Sequence, residues 1–140
     1  MLILFIFVVM KTPFPEAKRP LEYVALFHFQ VSTMEGPGFV FVAVDAFTQF
    51  AFSLGVERDE SRSAVLKNIY FLMEQPDFVK YIDGEFTLVL GEHEELSDEI
   101  RAILKPVKGK LLFNKGFNSY LASPVLKSVR ESMFKDMQKK

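Results

Sequence analysis

The stretch that decides the fold is Gly38-Phe39-Val40-Phe41-Val42-Ala43-Val44-Asp45-Ala46-Phe47-Thr48-Gln49-Phe50-Ala51-Phe52-Ser53-Leu54. It holds two runs rich in valine and phenylalanine, residues that suit a pleated, half-buried surface, joined across Asp45 to Thr48. Phe39–Ala46 therefore predicts one strand and Gln49–Val56 the next. Upstream, Leu21, Tyr23, Ala25, Phe27, Phe29 and Val31 recur at every second position, with Glu22, His28, Gln30 and Ser32 on the opposite face, which predicts a first strand over Leu21–Ser32. Val24 and Leu26 interrupt the polar face, so some cover is expected there too. Thr33–Gly38, containing Gly36-Pro37-Gly38, reads as the hairpin connection, and the three strands make an antiparallel meander.

Downstream, Asp59 or Ser61 can cap a helix whose apolar residues Val65, Ile69, Leu72 and Met73 fall at offsets of four, seven and eight, ending near Gln75. Pro76 suits the first position of a further short turn through Tyr81. Asp83-Gly84 fits either a tight turn pairing Val79–Ile82 with Phe86–Leu90 or a plain loop. The loop is preferred because the next segment reads as a crossover unit. Phe86–Leu90 is a buried strand, Leu96, Ile100, Ile103 and Leu104 mark one helical face, and Lys110–Phe113 is another strand. Such short links require parallel pairing with a right-handed crossover. Ser123-Pro124 then predicts the start of a last helix, cap followed by proline, with Leu126, Val129, Met133 and Met137 as its buried stripe.

The resulting order is β-β-β-α-β-α-β-α. With Val44-Asp45-Ala46-Phe47-Thr48 closing its second strand, the chain resembles the retroviral-type integrase and transposase catalytic core over roughly residues 21 to 137. The resemblance implies a ribonuclease-H-like fold, a mixed five-stranded sheet flanked by helices. It also implies DNA as partner and a carboxylate cluster that binds Mg2+ or Mn2+. Two-metal phosphoryl chemistry needs carboxylates converging on ions about 3.5–4 Å apart. The family's first Asp lies late in the first strand, where Phe27-His28-Phe29-Gln30-Val31-Ser32 puts Gln30. Its second Asp ends the fourth strand, where Leu90-Gly91-Glu92 makes Glu92 the counterpart. Its Glu on the last helix falls on Lys127, with Glu131 one turn later.

One position of three keeps a carboxylate. The expectation is a pseudo-enzyme, an integrase-like core of a mobile-element-related protein that has lost catalysis and binds nucleic acid or self-associates. No cofactor is expected, or Mg2+ or Mn2+ if the centre is active. The alternatives are an active metal-dependent polynucleotidyl transferase or nuclease, and a structural homo-oligomer that binds no nucleic acid.

Other polar residues admit a local and a functional reading. Asp45 can accept the backbone N–H of Phe47 or Thr48, or join Asp83 or Glu92 and Glu131 in a rearranged acidic cluster. His28 shares a face with Gln30 and can assist proton transfer, or be a satisfied hydrogen-bonding residue of the strand. The run Glu92, Glu94, Glu95, Asp98 and Glu99 stands at a helix start, where carboxylates favour the positive end of the dipole. Gly-rich phosphate loops, Gly-x-Ser-x-Gly elbows and Cys-His pairs are absent from the sequence.

At 140 residues, of which 49% are hydrophobic and sixteen are Phe, the chain fits one domain over 21–140 behind an apolar and Pro-rich lead-in over 1–20. Met1–Met10 is too short for a bilayer span and lacks the preceding positive charge of a secretory signal, so no membrane span is expected. The absence of cysteine excludes disulfides and zinc–thiolate sites, and two His are few for a histidine-rich metal site. A cytoplasmic setting is compatible with this composition. Charge divides unevenly: residues 1–100 carry seven Lys and Arg against sixteen Asp and Glu, and residues 101–140 carry ten against two. The net charges are −9 and +8. Lys127, Arg130 and Lys135 on the last helix are the candidate nucleic-acid contacts, because cations gain affinity for phosphates by counterion release. A solvated helix meeting an acidic face of a second copy is the alternative use of the same charges.

Overall fold

The computed structural model describes residues 15–82 and 85–138, with side chains as far as Glu131 apart from Arg130. One sheet holds β1 (Tyr23–Thr33), β2 (Gly36–Asp45), β3 (Ala51–Glu57), β4 (Phe86–Leu90) and β5 (Gly109–Phe113) in the order β3-β2-β1-β4-β5. The first three strands pair antiparallel, and β1, β4 and β5 pair parallel. The helices are α1 (Arg62–Glu74), α2 (Pro76–Tyr81), α3 (Ser97–Leu104) and α4 (Lys115–Gln138). This is the mixed five-stranded sheet with flanking helices that the element order predicts. Val79–Tyr81 belong to α2 and so do not pair with β4 as a hairpin strand; Asp83 and Gly84 themselves lie outside the described residues.

The meander differs in detail from its sequence pattern. The β1–β2 turn is Met34-Glu35, with Thr33 facing Gly36, so Gly36-Pro37-Gly38 belongs to β2 rather than to the connection. Gly36 supplies the turn's exit at φ 114°, a conformation costly for any residue with a Cβ. Pro37 is tolerated because β3 pairs with β2 only from Phe39 onward, so on that side Pro37 has no partner strand. Between Val40 and Val42 the β2–β3 register slips, leaving one more residue on β3. Within that bulge the Gly55 N–H donates to Asn68 Oδ1 of α1 at 2.7 Å, and a Cβ on Gly55 would stand 2.8 Å from the same oxygen. Asn68 completes its bonding by donating to the Ala64 carbonyl at 2.8 Å and to Glu57.

Both sheet faces are covered. On one, Val24, Leu26, Phe41, Leu88 and Leu90 pack against Val65, Ile69 and Leu72 of α1, Phe78 of α2 and Ile100 and Leu104 of α3. The other carries Ala25, Val42, Val44 and Val89 beneath Phe117 and Leu121 of α4. The β1 face that alternation marks as polar is therefore the face of the larger core. Its polar residues, His28 onward, occupy the half of β1 that runs past the end of β4, whose pairing with β1 stops at Leu26 and Leu90.

The start of the last helix is a correction. Helix α4 begins at Lys115, and Pro124 lies inside it. The effective cap is Asn114, whose Oδ1 accepts the Phe117 N–H at 3.0 Å, while its own N–H donates to the Leu90 carbonyl at 2.9 Å. Phe117, Asn118, Leu121 and Ala122 are buried at helical spacing, and this packing outweighs the proline's missing hydrogen bond. No helix among the described residues is long and apolar enough to cross a membrane.

Candidate functional site

Parallel pairing of β1 with β4 ends at Leu26 and Leu90, and the chain continues as Phe27-His28 on one strand and Gly91-Glu92-His93 after the other. Helix α4 closes the space between them and leaves a cavity of about 190 Å³ lined by both histidines, Glu92, Lys115, Asn118 and Ser119 among others. Gly91 packs against the start of the helix, where a Cβ would lie 3.4 Å from Lys115 Cα. Asn118 is buried and donates from Nδ2 to the Leu26 carbonyl at 2.7 Å, satisfying a strand group that β4 does not reach.

The two histidines converge, with ring centroids 6.0 Å apart. His28 packs its ring 5.0 Å from that of Phe41 and 6.0 Å from that of Phe39, and its side chain is only 13% exposed. His93 holds a left-handed backbone, φ 73° and ψ 39°, at the start of the turn Glu94–Leu96. That conformation is uncommon for a residue with a Cβ. The Nε2 of His28 lies 3.3 Å from Glu92 Oε1 without the alignment of a hydrogen bond, and the Nε2 atoms of both His28 and His93 are buried with no hydrogen-bond partner. The Nδ1 atoms face carboxylates instead, Glu60 at 3.7 Å from His28 and Glu95 at 3.4 Å from His93. The satisfied-histidine reading of His28 is thus corrected: Nε2 has no hydrogen-bond partner, and Nδ1 has the 3.7 Å ion-pair contact with Glu60.

The positions singled out in the sequence scatter. Gln30 is exposed, four residues beyond the last β1–β4 pair, and does not line the cavity; the β1 side chain that meets Glu92 is His28. Lys127 and Glu131 are exposed on α4 and line a neighbouring recess that shares Ser119, Ala122 and Leu126 with the cavity. Asp83 lies outside the described residues, and so do the side chains of Arg130 and Lys135. Asp45 sits at the far end of the sheet region, opposite Val24, with its carboxylate fully engaged. Oδ1 accepts from the N–H of Leu21 at 2.9 Å and of Phe47 at 3.2 Å, and Oδ2 from the Thr48 hydroxyl at 2.7 Å and its N–H at 3.3 Å. Of the acidic run, Asp98 and Glu99 occupy the first turn of α3, and Glu99 pairs with Arg62.

His93, Lys115 and Asn118 are the cavity residues that sequence reasoning missed. Lys115 and Asn118 were hidden by placing the helix start at Ser123. The usable signal for His93 was its position directly after Glu92 and three residues past the strand end.

The donor set does not fit a pair of magnesium ions. Among the described residues, the one group of three that could hold a metal is His28, Glu92 and His93, a single carboxylate with two imidazoles. Magnesium takes oxygen ligands and is bound through carboxylates and phosphates. Two imidazoles and one carboxylate suit zinc and its neighbours in the first transition row.

No protein-family model matches the sequence, and no curated protein sequence matches it. Solved structures do. A chain of the simian T-cell lymphotropic virus intasome, solved in complex with PP2A regulatory subunit B56 gamma, superposes with a TM-score of 0.70 at 8% identity, covering 90% of this chain and 44% of that one. The HTLV-2 integrase catalytic core domain in complex with magnesium superposes in its trimeric form at 0.59 and in its dimeric form at 0.57, both at 12% identity and over 89% of this chain. Those superpositions cover 76% and 79% of the HTLV-2 chains. This chain therefore spans less than half of the intasome chain and most of the isolated core.

Proposed function

From the premise that the chain carries the fold of the retroviral integrase catalytic core, we propose that it is an integrase-like domain of a mobile-element-related protein that binds nucleic acid without two-metal catalysis. The observation that carries this reading is the make-up of the cavity where β1 and β4 end. Glu92 is its one lining carboxylate, and Lys115 brings a fixed cation to the same walls. A positive charge there raises the electrostatic cost of admitting two divalent ions. Asn118 and Ser119, on the α4 surface facing the cavity, are neutral.

Support for nucleic acid as partner comes from charge. The last forty residues carry the net +8, and Lys105 and Lys108 are exposed in the turn before β5, Lys115 and Lys127 on α4. Lys110 is engaged by Glu85 at 2.9 Å and contributes less. A salt titration of DNA retention tests the reading, since affinity that depends on phosphate contacts falls linearly with log salt. Lys127→Glu combined with Arg130→Glu is expected to weaken retention and to reduce the slope by about 2, one unit per lost phosphate contact. Retention that ignores salt, or a double variant that binds as wild type, removes α4 from the interface.

Self-association is the second reading, favoured by the HTLV-2 cores' trimeric and dimeric forms. It predicts a mass that rises with protein concentration and no salt-sensitive DNA retention.

A further inference from the structure

We propose that His28, Glu92 and His93 form a binding site for one divalent cation of the zinc class, a site of different composition from the carboxylate cluster that the fold resemblance implies. The inference goes beyond the nucleic-acid reading and does not depend on it.

Both Nε2 atoms are buried without a hydrogen-bond partner. A buried polar atom without a partner is destabilising, and such atoms are rare in folded chains. Among the described residues, His28 Nε2 and His93 Nε2 are two of three such atoms on residues lining one cavity, Asn118 Oδ1 being the third. A cation accepting both lone pairs removes both deficits at once.

Zinc holds nitrogen and carboxylate oxygen at about 2.0–2.2 Å, so two ligand atoms at a tetrahedral angle stand about 3.4 Å apart. His28 Nε2 and Glu92 Oε1 are 3.3 Å apart, and the ligand atoms of all three residues lie within 4.8 Å of one another. Glu92, with 65% of its side chain exposed, is free to turn and close the remaining distance.

Carboxylates stand behind both imidazoles. A metal-binding imidazole commonly donates its other N–H to a carboxylate, which fixes the tautomer and strengthens the ligand. Glu60 lies 3.7 Å from His28 Nδ1 and Glu95 3.4 Å from His93 Nδ1, and a turn of these exposed side chains would put them in that role and leave Nε2 as the lone-pair atom on both rings. His93 holds its left-handed backbone where its ring stands 6.0 Å from that of His28. Three protein ligands leave a fourth position, open to the cavity, for water or an anionic oxygen.

The test uses the full, tag-free chain, stripped with a chelator and titrated calorimetrically with Zn2+ and separately with Mg2+. One Zn2+ per chain is expected to bind at micromolar or lower concentration and raise the melting midpoint, with no saturable heat from millimolar Mg2+. His28→Gln and His93→Asn are each expected to weaken zinc binding at least tenfold; Asn is chosen because it tolerates the left-handed backbone. Absence of stoichiometric zinc binding, or unchanged binding in both variants, overturns the proposal. Should a variant fail to fold, Co2+ added to the wild-type chain decides: intense visible bands of a four- or five-coordinate ion support the site, and only the weak spectrum of hydrated cobalt refutes it. DNA retention by the same protein reports separately on the function proposed above.

Discussion

Asn118 on α4 donates to the carbonyl of Leu26 on β1 across 92 positions of sequence, at 2.7 Å. This bond fixes the helix against the strand at the point where β4 stops pairing, and so sets the wall of the cavity. Replacing Asn118 with Leu keeps the volume and leaves the Leu26 carbonyl unpaired in the interior. The expected loss is about 1–3 kcal/mol in chemical denaturation. A variant as stable as wild type would show that water reaches that carbonyl.

Asp45 tests the division between structure and function. Its carboxylate receives four hydrogen bonds that tie the β2–β3 turn to the entry of β1, and its side chain is buried. In Asp45→Asn the amide cannot accept from both Thr48 donors, and the charge that strengthens all four bonds is gone. A loss of about 2–3 kcal/mol is expected, with DNA retention per folded molecule unchanged. Normal stability combined with lost retention would reassign Asp45 to the binding surface.

The Glu85–Lys110 pair joins the approach to β4 with β5, and the hydrogen bond between the two groups holds the Glu85 carboxyl below its usual range and raises the Lys110 ammonium above its own. Glu85 therefore stabilises the fold above the ordinary carboxylate range, and that contribution fades as pH falls through its depressed value. Lys110 contributes below its ordinary value and stops as pH rises through the raised one. Both groups are solvent-exposed, so the effect is small and weakens with salt. Melting curves of wild type and Glu85→Gln are expected to differ most near neutral pH at low ionic strength and to converge in acid. A gap that widens in acid would contradict the assignment.

The fold was legible because its signals are local and redundant: valine and phenylalanine runs for β2 and β3, Ser61 and the Val65–Ile69–Leu72 spacing for α1, and Phe86–Leu90 between short links for β4. Ser61 does cap α1, accepting the Ala64 N–H at 3.4 Å. The last helix misled because Ser123-Pro124 carries a strong start signal, whereas Asn114 carries an equal one followed by Gly116, which is unfavourable inside a helix. Only the burial of Phe117 and Leu121 on the sheet decides between them, and burial against a distant strand is not written locally. The candidate site was half legible. Glu92 was placed at the end of β4, but its neighbour from β1 depends on register, and the register brings His28 rather than Gln30. The convergence of both histidines comes with a left-handed backbone at residue 93, which no composition rule predicts for histidine.

The most direct test of the central claim is a DNA assay that counts bound and cleaved duplex together, at millimolar Mg2+ or Mn2+ and low salt. The account predicts duplex that is retained, released as salt rises, and recovered uncut and unjoined. Cleavage or strand joining that requires the metal and disappears in Glu92→Gln would contradict it.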